Sequence, residues 1–188
     1  PKWAIAASAW LVSIGTMLSA LWILLANSFM QEPVGFEIQN GKAVLTDFMA
    51  LLKNPQLLVE FPHTIFGALA TGGLVIGGIS AYNLLRKRHM EFFRKSFNIA
   101  MVIAFISGVA IAFTGHSQAQ HLMESQPMKM AASEALWEDS EDPAGWTVIG
   151  GIDTENQENT WQIDVPYALS FLAYNKFEGA VPGMLTLQ

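Results

Sequence analysis

The sequence predicts an all-α membrane protein: three transmembrane helices of a larger helical bundle, joined to a long extracytoplasmic loop domain. Three observations predict it. Hydrophobic residues make up 52% of the 188 residues and charged residues only 14%, against about 25% charged in an average globular domain. Three long runs, residues 3–31, 61–85 and 96–123, contain no Asp, Glu, Lys or Arg. Five of the ten basic residues crowd into the short connection 86–95.

Composition also excludes function classes. A mean hydropathy of +0.32 argues against a disordered chain and an ordinary soluble enzyme. A net charge of −6 is opposite to what a phosphate backbone recruits, so no nucleic-acid partner is expected. The chain has no Cys, which excludes thiolate metal sites, catalytic thiols and disulfides.

Each element follows from a physical requirement. A spanning helix needs about 20 mainly apolar residues, and all three runs meet it. Gly, Ser and Thr among the Leu, Ile, Val, Ala and Phe suit helices that pack against other helices in lipid. The first span is placed at 1–30. It is too long for a secretory signal, and no small-residue cleavage pattern closes it before Gln31-Glu32-Pro33. Because the chain opens on Pro1, it is expected to be a piece of a longer protein. Residues 31–59 form a loop, with Glu32, Glu37 and Asp47 against Lys42 and Lys53. The second span covers 60–85 and the third 96–115. The competing fold, three buried helices of a large soluble core, must explain three charge-free runs of this length at once.

The basic connection 86–95 faces the cytoplasm by the positive-inside rule. The first span then runs in to out, the second out to in and the third in to out. Loop 31–59 and the tail 116–188 lie outside. The tail carries eleven acidic residues and two basic ones, Lys129 and Lys176. Residues 128–137 recur at helical spacing, and 138–143, rich in Glu and Asp before Pro143, reads as a solvated turn. Residues 146–152 and 161–165 are expected to be short strands. Residues 165–175 are apolar but too few to span, and suit the membrane surface.

His63 is the most informative single residue. An ionisable group inside a span is costly and marks function by default. Gly67, Ala70 and Thr71 follow it at i+4, i+7 and i+8, on one helical face. Small residues beside a His leave a flat slot where a porphyrin can lie with its iron on Nε2. A histidine hydrogen-bonded at a helix end, with glycines for packing, explains the same spacing, so both readings stay open here. Gly73 and Gly77 form a Gly-x-x-x-Gly pair suited to helix–helix contact. His89 belongs to the basic connection. His116 and His121 are five apart, off one helix face, which argues against a metal pair. Lys129 and Glu134 place a base and an acid in a Met/Ala-rich stretch. A quinol headgroup needs such partners for its oxygen and proton, although a solvated pair has the same spacing.

At these residues the sequence resembles subunit I of cytochrome bd-type quinol oxidase, over nearly the whole chain. Residues 18–35 (LSALWILLANSFMQEPVG) resemble the family's fourth span and its exit. Phe61-Pro62-His63-Thr64 resembles its fifth span. Residues 126–138 (QPMKMAASEALWE), followed by 165–169 (VPYAL), resemble its external quinol-binding loop. The resemblance implies roles. His63 matches the axial ligand of a low-spin haem b, through the haem iron. Lys129 and Glu134 match residues of quinol binding and oxidation, and Trp146 stands where an aromatic ring can stack on the quinone. Ser19 and Asn27 match polar positions near the high-spin haems or a proton path. His116 stands where some relatives carry an acidic residue.

The family has further spans, which carry the second ligand of the low-spin haem and the high-spin haem b and haem d residues. The chain is therefore expected to be a fragment working with the rest of subunit I, subunit II and a small accessory subunit, in a prokaryotic cytoplasmic membrane. The implied activity is quinol:O₂ oxidoreduction. Quinol is oxidised at the outer face and O₂ is reduced to water at buried haems, which generates proton motive force without pumping. Two other classes fit three spans: a haem-free transporter or channel segment, with His63 as a pathway residue, and a different di-haem cytochrome b.

Overall fold

The computed structural model describes residues 1–188 and divides into two units, Pro1–Gly115 and His116–Gln188.

In the first unit, α1 (Lys2–Gln31) is one continuous helix. It stops where Pro33 disfavours a helical conformation in the residue before it. Glu32 is accordingly extended, at φ −138° and ψ 85°. A two-stranded hairpin follows, β1 (Phe36–Gln39) against β2 (Lys42–Leu45), paired antiparallel. Asn40 and Gly41 both take positive φ at its turn, the conformation a tight two-residue hairpin needs. The short helix α2 (Phe48–Leu52) is capped by Asp47 Oδ1, which accepts from the amides of Met49 and Ala50 at 2.9 and 3.1 Å.

Helix α3 (Pro55–Leu85) starts on an Asn54-Pro55 cap. Asn54 Oδ1 accepts from Gln56 N at 2.9 Å, and proline at the first helical position loses no bond. The cap starts the helix before Glu60, where the expected span began. Asn54 Nδ2 also donates to Glu32 O at 2.8 Å, tying the end of α1 to the start of α3. Lys87 and His89 take positive φ in the tight turn to α4 (Met90–Ser125). That helix continues past the expected limit at 115 and breaks at Gln126-Pro127. Its residues after 115 are polar yet good helix formers such as Gln, Ala, Leu and Met.

Glycines decide how α3 and α4 meet. A side chain at Gly73 would stand 2.8 Å from Ala100 O and 3.0 Å from Ala104 Cβ, and one at Gly77 would stand 3.1 Å from Met101 Sδ. The Gly-x-x-x-Gly pair is thus a helix–helix contact. Below it, Ser80 Oγ donates to Ser96 Oγ at 3.0 Å. α1, α3 and α4 are each long and apolar enough to cross a membrane. Ile5, Trp10 and Leu11 are about 70% exposed on α1. A soluble core cannot leave such a face bare, so these helices are not the buried core of a soluble domain.

The second unit starts within the last turns of α4. It adds α5 (Pro127–Ser133), a hairpin of β3 (Trp146–Asp153) and β4 (Glu158–Val165), α6 (Ala168–Tyr174) and α7 (Met184–Leu187). Its core is Met130, Ala144, Leu169, Ala173 and Val181, with Leu122, Met123, Leu136 and Leu172 around it. Both expected strands are present, and longer. The acidic stretch 138–143 does more than face solvent. Asp142 Oδ1 accepts from Gly179 N at 2.6 Å, Ser140 Oγ from Val181 N at 2.8 Å, and Asp139 Oδ1 from Gly183 N at 2.8 Å. These bonds hold residues 179–183 against the acidic turn. The Gly183 amide beside it keeps the Asp139 carboxyl below the usual carboxylate range, helped by Thr186.

Candidate functional site

In the first unit, His63 lies two turns into α3, half-buried, with Nδ1 3.1 Å from Thr114 Oγ1 on α4. Thr114 Oγ1 also lies 2.8 Å from Ala110 O and 3.3 Å from Ile111 O, two acceptors for its single hydrogen. With the hydroxyl donating to either, Oγ1 accepts from His63 Nδ1–H. That tautomer leaves the lone pair on Nε2, the nitrogen that ligates a metal when the other ring nitrogen donates. Gly115 lets the ring lie against α4: a side chain there would stand 3.2 Å from His63 Cε1. One turn along α3, nothing stands within 4 Å of where a Gly67 side chain would begin. Thr71 turns its hydroxyl inward to Gly67 O at 2.9 Å. An imidazole held through Nδ1 beside open space at a glycine has the donor chemistry and room that a haem requires.

Asn27 and Ser19, both on α1, part company. Ser19 is exposed, and Asn27 is half-buried with Oδ1 accepting from Gln31 Nε2. Gln31 Nε2 also donates to Glu60 Oε1 at 3.0 Å, so Asn27 belongs to a polar cluster between α1 and α3.

In the second unit, Glu134 sits at the C-terminal cap of α5. Trp146, at the start of β3, donates a hydrogen bond to its carboxylate. Burial raises the Glu134 carboxyl above the usual range, and the Trp146 bond partly offsets this. Two residues that the resemblance assigns to the quinol loop are thus bonded to each other. Lys129 is exposed on α5; five residues from Glu134, it points about 140° away around the helix axis. Two buried polar atoms near this corner have no protein partner, Trp137 Nε1 and Asn159 Oδ1. The other amide atom of Asn159 donates to Ala135 O at 3.0 Å. Buried polar groups bond to something, so this donor and acceptor suit water or a polar ligand.

His116 Nε2 is 2.6 Å from Asn175 Oδ1, and its ring stacks on Phe171, which stacks on Phe177. His121 is five residues, about one and a half turns, further along α4, and no three His, Asp or Glu side chains converge into a metal-binding group. Sequence reasoning missed Thr114, Gly115 and Asn159. Each acts through a partner far along the chain, and no local spacing encodes that pairing.

Comparison with known proteins supports the same reading. The family described as cytochrome bd terminal oxidase subunit I matches residues 1–188. Cytochrome bd ubiquinol oxidase subunit 1 of Bacillus subtilis (strain 168) is 61% identical over 188 residues, covering all of this chain and 40% of that protein. Cytochrome bd-II ubiquinol oxidase subunit 1 of Escherichia coli (strain K12) is 36% identical over 180 residues, covering 95% of this chain and 35% of that protein. A structure of bd oxidase from Geobacillus thermodenitrificans superposes with a TM-score of 0.80 at 34% identity, over 92% of this chain and 40% of that one. The chain thus spans about two fifths of the length of these relatives. The likeness favours an oxidase subunit over a haem-free transporter or a separate di-haem cytochrome b.

Proposed function

The chain belongs to the cytochrome bd terminal oxidase subunit I family, and from that premise we propose that it is the part of subunit I that receives electrons from quinol. The whole enzyme oxidises quinol and reduces O₂ to water. The rest of subunit I, with high-spin haem b and haem d, subunit II and a small accessory subunit complete it in a prokaryotic cytoplasmic membrane. The observation that carries this reading is the contact of His63 Nδ1 with Thr114 Oγ1 at 3.1 Å, which leaves Nε2 to ligate. His63 would hold low-spin haem b, which supplies a one-electron acceptor when bound.

The chain's own residues do the rest. Oxidising a quinol to a quinone releases two protons and two electrons. Glu134 takes a proton from a quinol hydroxyl: its raised pKa makes it a stronger base than an exposed carboxylate once ionised. Trp146 Nε1–H holds that carboxylate in place, and its ring offers a face for the quinone. Lys129 supplies a cation for a quinol oxygen. Asn27 joins the polar cluster between α1 and α3, toward a proton path, and Ser19 stands apart, exposed on α1. The tail 116–188 lies outside, so protons from quinol leave on that side, while the protons that make water come from the cytoplasm.

The test is the reduced-minus-oxidised visible spectrum of the whole oxidase with His63→Ala. We expect the low-spin haem b signal to vanish while the high-spin signals remain. A full low-spin signal in that variant would remove His63 from the iron.

A further inference from the structure

Glu60 is a buried acid that this function leaves unused. It is 9% exposed. Its three bonded partners are neutral: Gln31 Nε2 donates to Oε1 at 3.0 Å, Gln56 Nε2 to Oε1 at 2.5 Å, and Ser28 Oγ to Oε2 at 3.4 Å. Ser28 and Gln56 are themselves buried. Gln56 Oε1 is buried with no donor.

No cation compensates this carboxyl. On α1 the only charged side chain is Lys2, at the far end, and Glu32 follows the helix. α2 has none. Asp47 before it caps its amides, and Lys53 follows it. The next titratable group on α3 is His63, and α4 has no charged group between Lys95 and Gly115.

A buried carboxylate without a cation is costly, and neutral donors offset that only in part. A buried carboxylic acid needs an acceptor for its proton. The amides of Gln31 and Gln56 meet either need, because each presents a donor or an acceptor according to how it is turned. The cluster therefore accommodates Glu60 in both protonation states. The open Gln56 Oε1 is a place for a bridging water, through which a proton can pass. Three residues on, about 4.5 Å along the helix, stands His63. A charge change within about one helical turn, in a weakly polar surrounding, is felt there.

We propose that Glu60 is a proton-exchanging group coupled to the redox site at His63: its carboxylate takes up one proton when an electron arrives there and releases it when the electron leaves. The electron comes from quinol. The proton comes from water at that end of α1 and α3: an O–H bond forms on Glu60 as one breaks in a hydronium ion, and the reverse follows. This rests on His63 as the haem ligand and adds a group that holds the local charge constant during transfer.

The experiment is redox-difference infrared spectroscopy of the whole oxidase, wild type, Glu60→Gln and Glu60→Asp, with pH titration of the low-spin haem potential. We expect a carboxylic-acid carbonyl band in the wild type, displaced in Glu60→Asp and absent in Glu60→Gln. The potential should change with pH by up to tenfold in equilibrium constant per unit, about 59 mV for one electron, and Glu60→Gln should flatten that slope. No such band in the wild type, or an unaltered band in Glu60→Gln, overturns the proposal. Where Glu60→Gln fails to assemble, Glu60→Asp decides: a displaced band upholds the proposal and an undisplaced one overturns it. The ligand reading fails separately, by a retained low-spin signal in His63→Ala, and the wild-type band is read whichever residue binds iron.

Discussion

His63 shows how one hydroxyl sets the chemistry of a ring. With its own hydrogen on Ala110 O, Thr114 accepts from Nδ1, and the imidazole then presents Nε2 as a lone pair. Groups that orient a ligating histidine in this way are worth about 10–100-fold in metal affinity. Thr114→Val should therefore weaken low-spin haem binding by about that factor while leaving the fold intact. Haem content of the purified oxidase, measured by pyridine haemochrome, checks it; full content would leave Thr114 as a packing residue only.

The Glu134–Trp146 pair acts at the same scale. Burial favours the neutral acid and the indole N–H favours the anion. Quinol oxidation needs the anion, so turnover should fall on the acid side at a pH above that of an ordinary carboxylate. Trp146→Phe removes the bond that lowers the pKa, which should move this acid limb to higher pH. Glu134→Ala should cut turnover by about 10²–10⁴-fold with haem content unchanged. A pH profile of quinol turnover that does not shift in Trp146→Phe would separate the two residues functionally.

Among the elements, the contact of α3 with α4 depends on the lack of a side chain. At Gly73 the neighbours are backbone and a short Ala side chain, which cannot swing aside. Gly73→Leu should push the helices apart, at about 1–3 kcal/mol for an overpacked contact, and shift the register that brings Thr114 to His63. Thermal unfolding of the whole oxidase, read with the low-spin spectrum, checks both effects. Gly67 faces the open space proposed for the haem and touches no neighbouring helix, so Gly67→Ala should lower low-spin haem content while leaving the α3–α4 contact unchanged. The loop elements follow another logic. Asp139, Ser140 and Asp142 pin residues 179–183 through backbone amides, a role invisible in a run that looks merely acidic.

For the whole molecule, orientation follows from charge. By the positive-inside rule, five basic residues in 86–95 and eleven acidic ones in 116–188 are expected to place the first segment in the cytoplasm and the second outside. Protease added to right-side-out vesicles should cut within 116–188 and spare 86–95; the opposite pattern would reverse the topology and move quinol oxidation to the other face.

Three membrane-length helices and their order were legible in the sequence, because lipid tolerates neither charge nor unpaired backbone and its demand falls on consecutive residues. The same holds for local signals such as Asn40-Gly41, Asn54-Pro55 and Gln126-Pro127, which act within a few bonds, though the first hairpin was not foreseen. Lys129 and Glu134 were singled out by type alone, and the sequence could not say that Trp146, not Lys129, would bond the carboxylate. Thr114 on His63, Asn159 on Ala135 and the approach of Ser28 and Gln31 to Glu60 were decided only by tertiary structure. Each pairs residues on different elements, and which side chains meet there depends on how whole helices and strands pack, through contacts such as those at Gly73 and Gly77.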